Sequence, residues 1–166
     1  MATQLKNLSD FSSASNIPSA AGYTFGIVVA EWNAEITGAL YNGAYQTLLK
    51  YGAAESAIHT YPVPGSFELT TGAELLLKTG KFDAVICLGC VIQGETRHFD
   101  FICDAVANGV SNVAIKYSKP VIFGVLTTDN QQQAIDRSGG KHGNKGDEAA
   151  VTAIKMAKMA ELTAAL

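Results

Sequence analysis

"FDAVICLGCVIQGETRHFD" (82–100) contains the sharpest change of character in the chain. The run 82–92 is almost continuously apolar and rich in β-branched residues. It gives way at once to glutamine, glycine, glutamate, threonine, arginine and histidine. Such a run suits a strand covered on both faces, as in parallel sheets. The polar stretch after it suits a loop and the first turn of a helix, because Phe99, Ile102, Cys103, Val106, Val110 and Val113 then mark one helical face.

Working outward, three more apolar runs share this pattern: "YTFGIVVA" (23–30), "SAIHTYPV" (56–63) and "PVIFGVLTT" (120–128). Each precedes a helical period. Ile36, Leu40, Ala44 and Leu48 follow the first, with Gly52 as a stop, and Leu69, Ala73, Leu76 and Leu77 follow the second. A short segment (130–138), a glycine-rich loop (139–146) and a last helix from about Asp147 follow the fourth. Strands alternating with helices predict right-handed βαβ crossovers and a parallel sheet. The expected fold is a three-layer α/β/α sandwich on a four-stranded parallel sheet, flavodoxin-like in class. It forms one domain over 1–166, of which residues 1–20 make a polar N-terminal arm. The last helix carries two apolar stripes, Ala150, Ala153, Ile154 and Ala157 on one side and Met156 and Met159 on another. A lone surface helix buries one stripe, so the second predicts contact with another subunit.

Composition narrows the function. Nearly half of the residues are apolar, only 16% are charged, and the net charge is −3. There is no basic field for nucleic acid and no apolar stretch of membrane-crossing length. The N-terminus lacks a signal-peptide layout, which gives the expectation of a cytoplasmic protein with reduced thiols. Cys87 and Cys90 in "CLGC" point to opposite faces of a strand and lack a second ligand pair, so a structural role is expected rather than a metal or redox site.

In open parallel sheets, ligands bind beyond the carboxyl ends of the strands. This selects "EWNAEITG" (31–38), "PGSFE" (64–68), "QGETRHFD" (93–100) and "TTDN" (127–130). Trp32, the one tryptophan, is either a rim packing residue or a platform for a planar ring. Ser66 and the amides of 66–68 sit at a helix start, able to bond ring carbonyls or an anion. In "GETRH", Thr96 is a plausible N-cap, the free amides beside it form a phosphate seat, and His98 suits proton transfer. On that stretch alone, a capping Thr96 and a solvated His98 remain an adequate account. The loop 136–147 adds Arg137, Lys141, His142 and Lys145, but lacks the Lys-Ser/Thr pair of a P-loop. No G-x-G-x-x-G or hydroxyl-rich phosphate loop follows the first strand, which argues against a dinucleotide site or a flavin-holding electron-transfer module.

Taken in order, "EWN", "PGSFEL", "LGCVIQGETRHFDFI", "PVIFGVLTTDN" and "AIDRSGGKHGNKGDEAA" resemble the motif series of the lumazine synthases of riboflavin biosynthesis, over about 23–160. The resemblance implies condensation of 5-amino-6-(D-ribitylamino)uracil with 3,4-dihydroxy-2-butanone 4-phosphate, without metal or organic cofactor. By position, Trp32 matches the stacking platform, and Ser66, Phe67 and Glu68 match the stretch holding the ribityl chain. Cys90, Val91 and Ile92 match the backbone lining of the heterocycle, Glu95 and Thr96 the phosphate seat, and His98 the proton donor and acceptor. Phe123 and Arg137 match residues reaching the site from a neighbouring subunit, with Lys145 nearby. Glu31 and Gln93 depart from the basic residues frequent at those positions. The family assembles as pentamers, and some members close these into an icosahedral shell. The uninterrupted "GGKHGNKG" resembles the shell-forming members. The chain itself is thus an expected partner, with riboflavin synthase a further candidate. A non-catalytic shell or riboflavin-binding paralogue, the competing reading within the family, is expected to have lost some of Thr96, His98 or Arg137, and all are present.

Overall fold

The computed structural model describes residues 17–166; positions 1–16, most of the expected polar arm, lie outside the described residues. Four parallel strands form the main sheet: β1 (Phe25–Ala30), β2 (Ile58–Val63), β3 (Ala84–Ile92) and β4 (Val121–Thr128), in the order β2-β1-β3-β4. Their connections carry α1 (Ala34–Lys50), α2 (Leu69–Lys78) and α3 (His98–Tyr117), while α4 (Gln131–Arg137) and α5 (Lys145–Ala164) follow β4.

Side chains alternate across the sheet and feed two cores. Phe25, Ile27, Ile86, Leu88 and Cys90 pack under Ile36, Leu40, Ala44 and Leu48 of α1 and Ala150, Ala153 and Ile154 of α5. Val28, Val85 and Cys87 pack under Leu69, Ala73, Val106 and Val110 of α2 and α3. The result is the expected α/β/α sandwich. Cys87 and Cys90 fall on opposite faces, and burial pushes their thiols up to about 12 and about 11. A thiol so far above neutral pH is neither a nucleophile nor a ready metal ligand. Among the described residues no group of three His, Cys, Asp or Glu side chains is placed to hold a metal ion, and no helix is long and apolar enough to cross a membrane.

Three details depart from expectation. The loop 139–146 contains a tight hairpin, β5 (Ser138–Gly140) and β6 (Gly143–Asn144), which Gly139 and Gly143 permit by adopting φ of 119° and 75°. The last helix begins at Lys145, before Asp147, because the Asn144 side chain caps it, accepting from the Gly146 N–H at 2.8 Å. The same side chain donates to the Ala39 carbonyl at 2.9 Å, and a Cβ on Gly146 would lie 1.9 Å from the Leu40 carbonyl oxygen. Helices α1 and α5 are therefore pinned together at the start of α5. Finally, β2 is not covered on both faces. It is an edge strand with His59–Pro62 exposed, where a proline without an N–H is tolerated. The second apolar stripe of α5 is also uncovered, Met156 and Met159 being 40% and 56% exposed.

Candidate functional site

The order β2-β1-β3-β4 places β2 and β3 on opposite sides of β1, so the loops after β1 and β3 diverge at the carboxyl end of the sheet. A cleft of about 690 Å³ opens there, within the roughly 300–1,000 Å³ common for small-molecule sites. It gathers Trp32, Ser66, Phe67, Glu68, Cys90, Val91, Ile92 and His98, together with Asn33.

The β1 side is shaped by a swing of the chain. After Ala30, the Glu31 N–H donates to Val63 O at 2.8 Å and the Trp32 N–H to Pro64 O at 3.2 Å, drawing the backbone towards β2. Asn33 then adopts a left-handed conformation, φ 59° and ψ 46°, and its carbonyl accepts from the Ile36 and Thr37 amides as α1 begins. The turn leaves Trp32 73% exposed over the cleft, with Phe67 opposite at 56%. The floor is made where Ser66 meets β3. A Cβ at Gly89 would lie 2.6 Å from Ser66 Oγ, so only glycine in "LGC" lets the two segments approach this closely. That hydroxyl is buried and has no hydrogen-bond partner among the described residues.

On the β3 side, the alternation of a parallel ladder decides which backbone groups are available. The Gln93 N–H donates to Thr128 O at 2.8 Å, so Val91 and Gln93 address β4. Cys90 and Ile92 address the β1 side, where pairing with β1 ends at Val29↔Leu88. The Cys90 carbonyl accepts from Asn33 Nδ2 at 2.9 Å. By the same alternation the N–H and C=O of Ile92 are turned to the β1 side, past the last β1 pair, and Ile92 is part of the cleft lining.

His98 opens α3 and borders the cleft. Thr96 is not the N-cap that the sequence suggested. Arg97 occupies that position without a side-chain cap, because the helix starts at His98. The Thr96 hydroxyl instead accepts from the His98 N–H at a long 3.4 Å. Glu95 and Thr96 lie in the exposed turn before α3, outside the cleft lining. Arg97 makes an exposed ion pair with Asp100, Nε to Oδ2 3.5 Å, a contact worth little in water.

Phe123, Arg137 and Lys145 do not join this cleft. They line a separate groove of about 570 Å³ along the free edge of β4. Phe123 is 42% exposed there. Arg137, the last residue of α4, donates from Nη1 to the Gln133 carbonyl at 3.0 Å, which orients its fork. Lys145 Nζ lies 2.5 Å from Glu148 Oε1, both side chains only 17% exposed. One chain thus carries an aromatic, hydrogen-bonding cleft and, apart from it, a cationic groove. A further concavity at the opposite end of the sheet is lined by polar groups that pair with one another: Lys119 with Asp83, Lys158 with Glu161, and the Tyr23 hydroxyl donating to Glu161.

The family profile described as 6,7-dimethyl-8-ribityllumazine synthase matches residues 22–161, which span both the cleft and the groove. The chain belongs to this family. It is 62% identical over 156 residues to the 6,7-dimethyl-8-ribityllumazine synthase of Cytophaga hutchinsonii, covering 94% of this chain and 97% of that one. It is 55% identical over 157 residues to the protein of that name from Flavobacterium johnsoniae, covering 95% and 82%. The relative of that name from Parabacteroides distasonis is 53% identical over 156 residues, covering 94% and 97%. Asn33, Gly89 and Glu148 join the residues of interest only through the structure. Each sits within a quoted motif, but its partner is remote in sequence or, for Glu148, is Lys145 at the first position of a helix whose start was placed too late.

Proposed function

We propose that this chain condenses 5-amino-6-(D-ribitylamino)uracil with 3,4-dihydroxy-2-butanone 4-phosphate to give 6,7-dimethyl-8-ribityllumazine, phosphate and water. The site is formed by the cleft of one subunit and the β4-edge groove of a neighbour. The observation that carries this reading is the separation of the two half-sites on one chain, in a family of synthases that must hold a flat heterocycle and a phosphate together. Trp32 and Phe67 offer faces for the pyrimidine. The N–H and C=O of Ile92, past the last β1 pair, match its polar edge, and the Ser66 hydroxyl, without a partner among the described residues, and Glu68 suit the ribityl hydroxyls. The neighbour's Arg137 and Lys145 take the phosphate and Phe123 closes the pocket, with Glu95 and Thr96 meeting the phosphate from the α3 side. His98 carries protons. The pyrimidine amine attacks the butanone carbonyl and water leaves as the imine forms, phosphate departs by elimination, and ring closure followed by loss of a second water completes the product. Each step moves a proton that an imidazole can accept or return. Holding both reactants in register supplies the largest part, on the order of 7–11 kcal/mol of the barrier.

A site completed by a neighbour requires an assembly, and the uncovered α5 stripe and exposed Phe123 supply apolar surface for one. The reading is a five-membered ring, with the short 138–144 hairpin favouring closure of rings into an icosahedral shell. The cysteines are free among the described residues, in keeping with a cytoplasmic setting. Mixing the purified protein with both substrates should generate lumazine absorbance and fluorescence with stoichiometric phosphate release. No lumazine from either order of addition refutes the function. Light scattering giving the mass of one ring refutes the shell, and the mass of one chain refutes the shared site.

A further inference from the structure

Asn33 has two unusual properties at once. It is one of two non-glycine residues at positive φ among the described residues, the other being Ser118 at the end of α3. Its side chain also spans from the start of α1 to the end of β3, donating to Cys90 O at 2.9 Å. The register explains why that bond is needed. With Val29 opposite Leu88, a continued ladder would set residue 31 opposite Cys90, and the N–H of residue 32 would donate to the Cys90 carbonyl. The chain does not continue, because the Trp32 N–H is turned to Pro64 O. The Cys90 carbonyl would be left without its donor inside a largely buried strand end, where Cys90 is 3% exposed. The Asn33 amide supplies the missing rung from the side. Few residues can do this, since the position demands both a left-handed backbone, which Asn tolerates best after Gly, and a short side-chain N–H.

We propose that Asn33 is a positioning residue for the reaction, a latch that ties the Trp32 turn to the Cys90–Ile92 segment. Both walls of the heterocycle pocket are thereby held at one spacing. The latch acts on Trp32 as its chain neighbour. It acts on Ile92 by keeping the strand end straight, so that the Ile92 N–H and C=O stay aimed into the cleft. Nothing in the groove that carries Arg137 and Lys145 depends on it. This inference rests on the heterocycle occupying the cleft, and its effect is confined to that substrate.

Two variants test it. Asn33→Gly keeps the left-handed backbone and removes the rung, while Asn33→Asp keeps size and backbone tolerance but cannot donate as a carboxylate. As Trp32 is the one tryptophan, its time-resolved anisotropy reports the latch directly without any substrate. In both variants the fast component of Trp32 motion should grow, and KM for the pyrimidine should rise about tenfold, the scale of one lost hydrogen bond. KM for the butanone phosphate and the turnover at saturation should stay within about twofold. Unchanged Trp32 anisotropy with an unchanged pyrimidine KM overturns the proposal. So does a parallel rise of both KM values with a fall in Tm, which describes general loosening. Should the unaltered protein form no lumazine, the functional reading fails, while the anisotropy comparison still decides whether the latch exists.

Discussion

Mixing two defective chains tests the separated half-sites most directly. His98→Ala removes the proposed proton carrier from the cleft and leaves the groove intact; Arg137→Ala removes the proposed phosphate fork from the groove and leaves the cleft intact. His98 and Arg137 line different concavities of the same chain. On the proposed shared site, an assembly of equal parts would build each site from the cleft of one chain and the groove of another. By independent choice, about one quarter of the sites then combine an intact cleft with an intact groove, as a head-to-tail interface requires. Loss of a general acid–base residue slows turnover about 10²–10⁴-fold. Loss of the Arg137 fork removes charged hydrogen bonds of about 1.5–3 kcal/mol, felt mainly as a raised KM for the butanone phosphate. The assay is lumazine fluorescence at a low concentration of that substrate, after the two variants are denatured together and refolded. The mixture should reach about a quarter of the unaltered activity, roughly three- to fortyfold above the Arg137→Ala parent and about 25-fold or more above the His98→Ala parent. A mixture no better than the mean of its parents would show that each chain completes its own site, and the separation argument would fall.

Two further outcomes are expected. Ser66→Ala removes a buried hydroxyl that has no partner among the described residues, so Tm should hold or rise slightly while KM for the pyrimidine increases by about tenfold; thermal melts and steady-state kinetics on one preparation check both. Asp147 is half-buried at the start of α5, and desolvation, reinforced by Glu148, raises its carboxyl above the ordinary 3.8 despite the hydroxyl donated by Thr47. A raised folded value means that its contribution is greatest below 3.8 and is lost as pH climbs through the raised value. Asp147→Asn should therefore melt higher than the unaltered protein at neutral pH, and the gap should shrink as the solution is acidified. A gap that widens in acid would reverse the sign of the argument.

The layers of this fold were legible because each helix declares its buried stripe. Ile36, Leu40, Ala44 and Leu48 lie on the core side of α1, and Val106, Val110 and Val113 on that of α3. The opposite facing of Cys87 and Cys90 followed from strand alternation alone. Legibility failed where a partner distant in sequence decides the local state. The start of α5 depends on Asn144 reaching Ala39, and the exposure of β2 depends on its place at the sheet edge, which no periodicity in "IHTYPV" reveals. For the site, the strand-end rule located Trp32, Ser66 and His98 in one cleft. The division between cleft and groove follows from strand order, and the sequence reached it only through family resemblance. Thr96 was misplaced by one residue, a common ambiguity where several hydroxyl and charged residues precede a helix.

The left-over edge of β4 has a consequence for timing. On the proposed shared site, a newly made chain that has folded, with both cores formed and Trp32 in its turn, would still be chemically silent, because its own His98 and Arg137 line different concavities. The first product would appear only when a second chain arrives. A progress curve begun from dilute refolded monomers should then show a lag that shortens as the chains are concentrated, making lumazine fluorescence a clock for assembly as well as for catalysis.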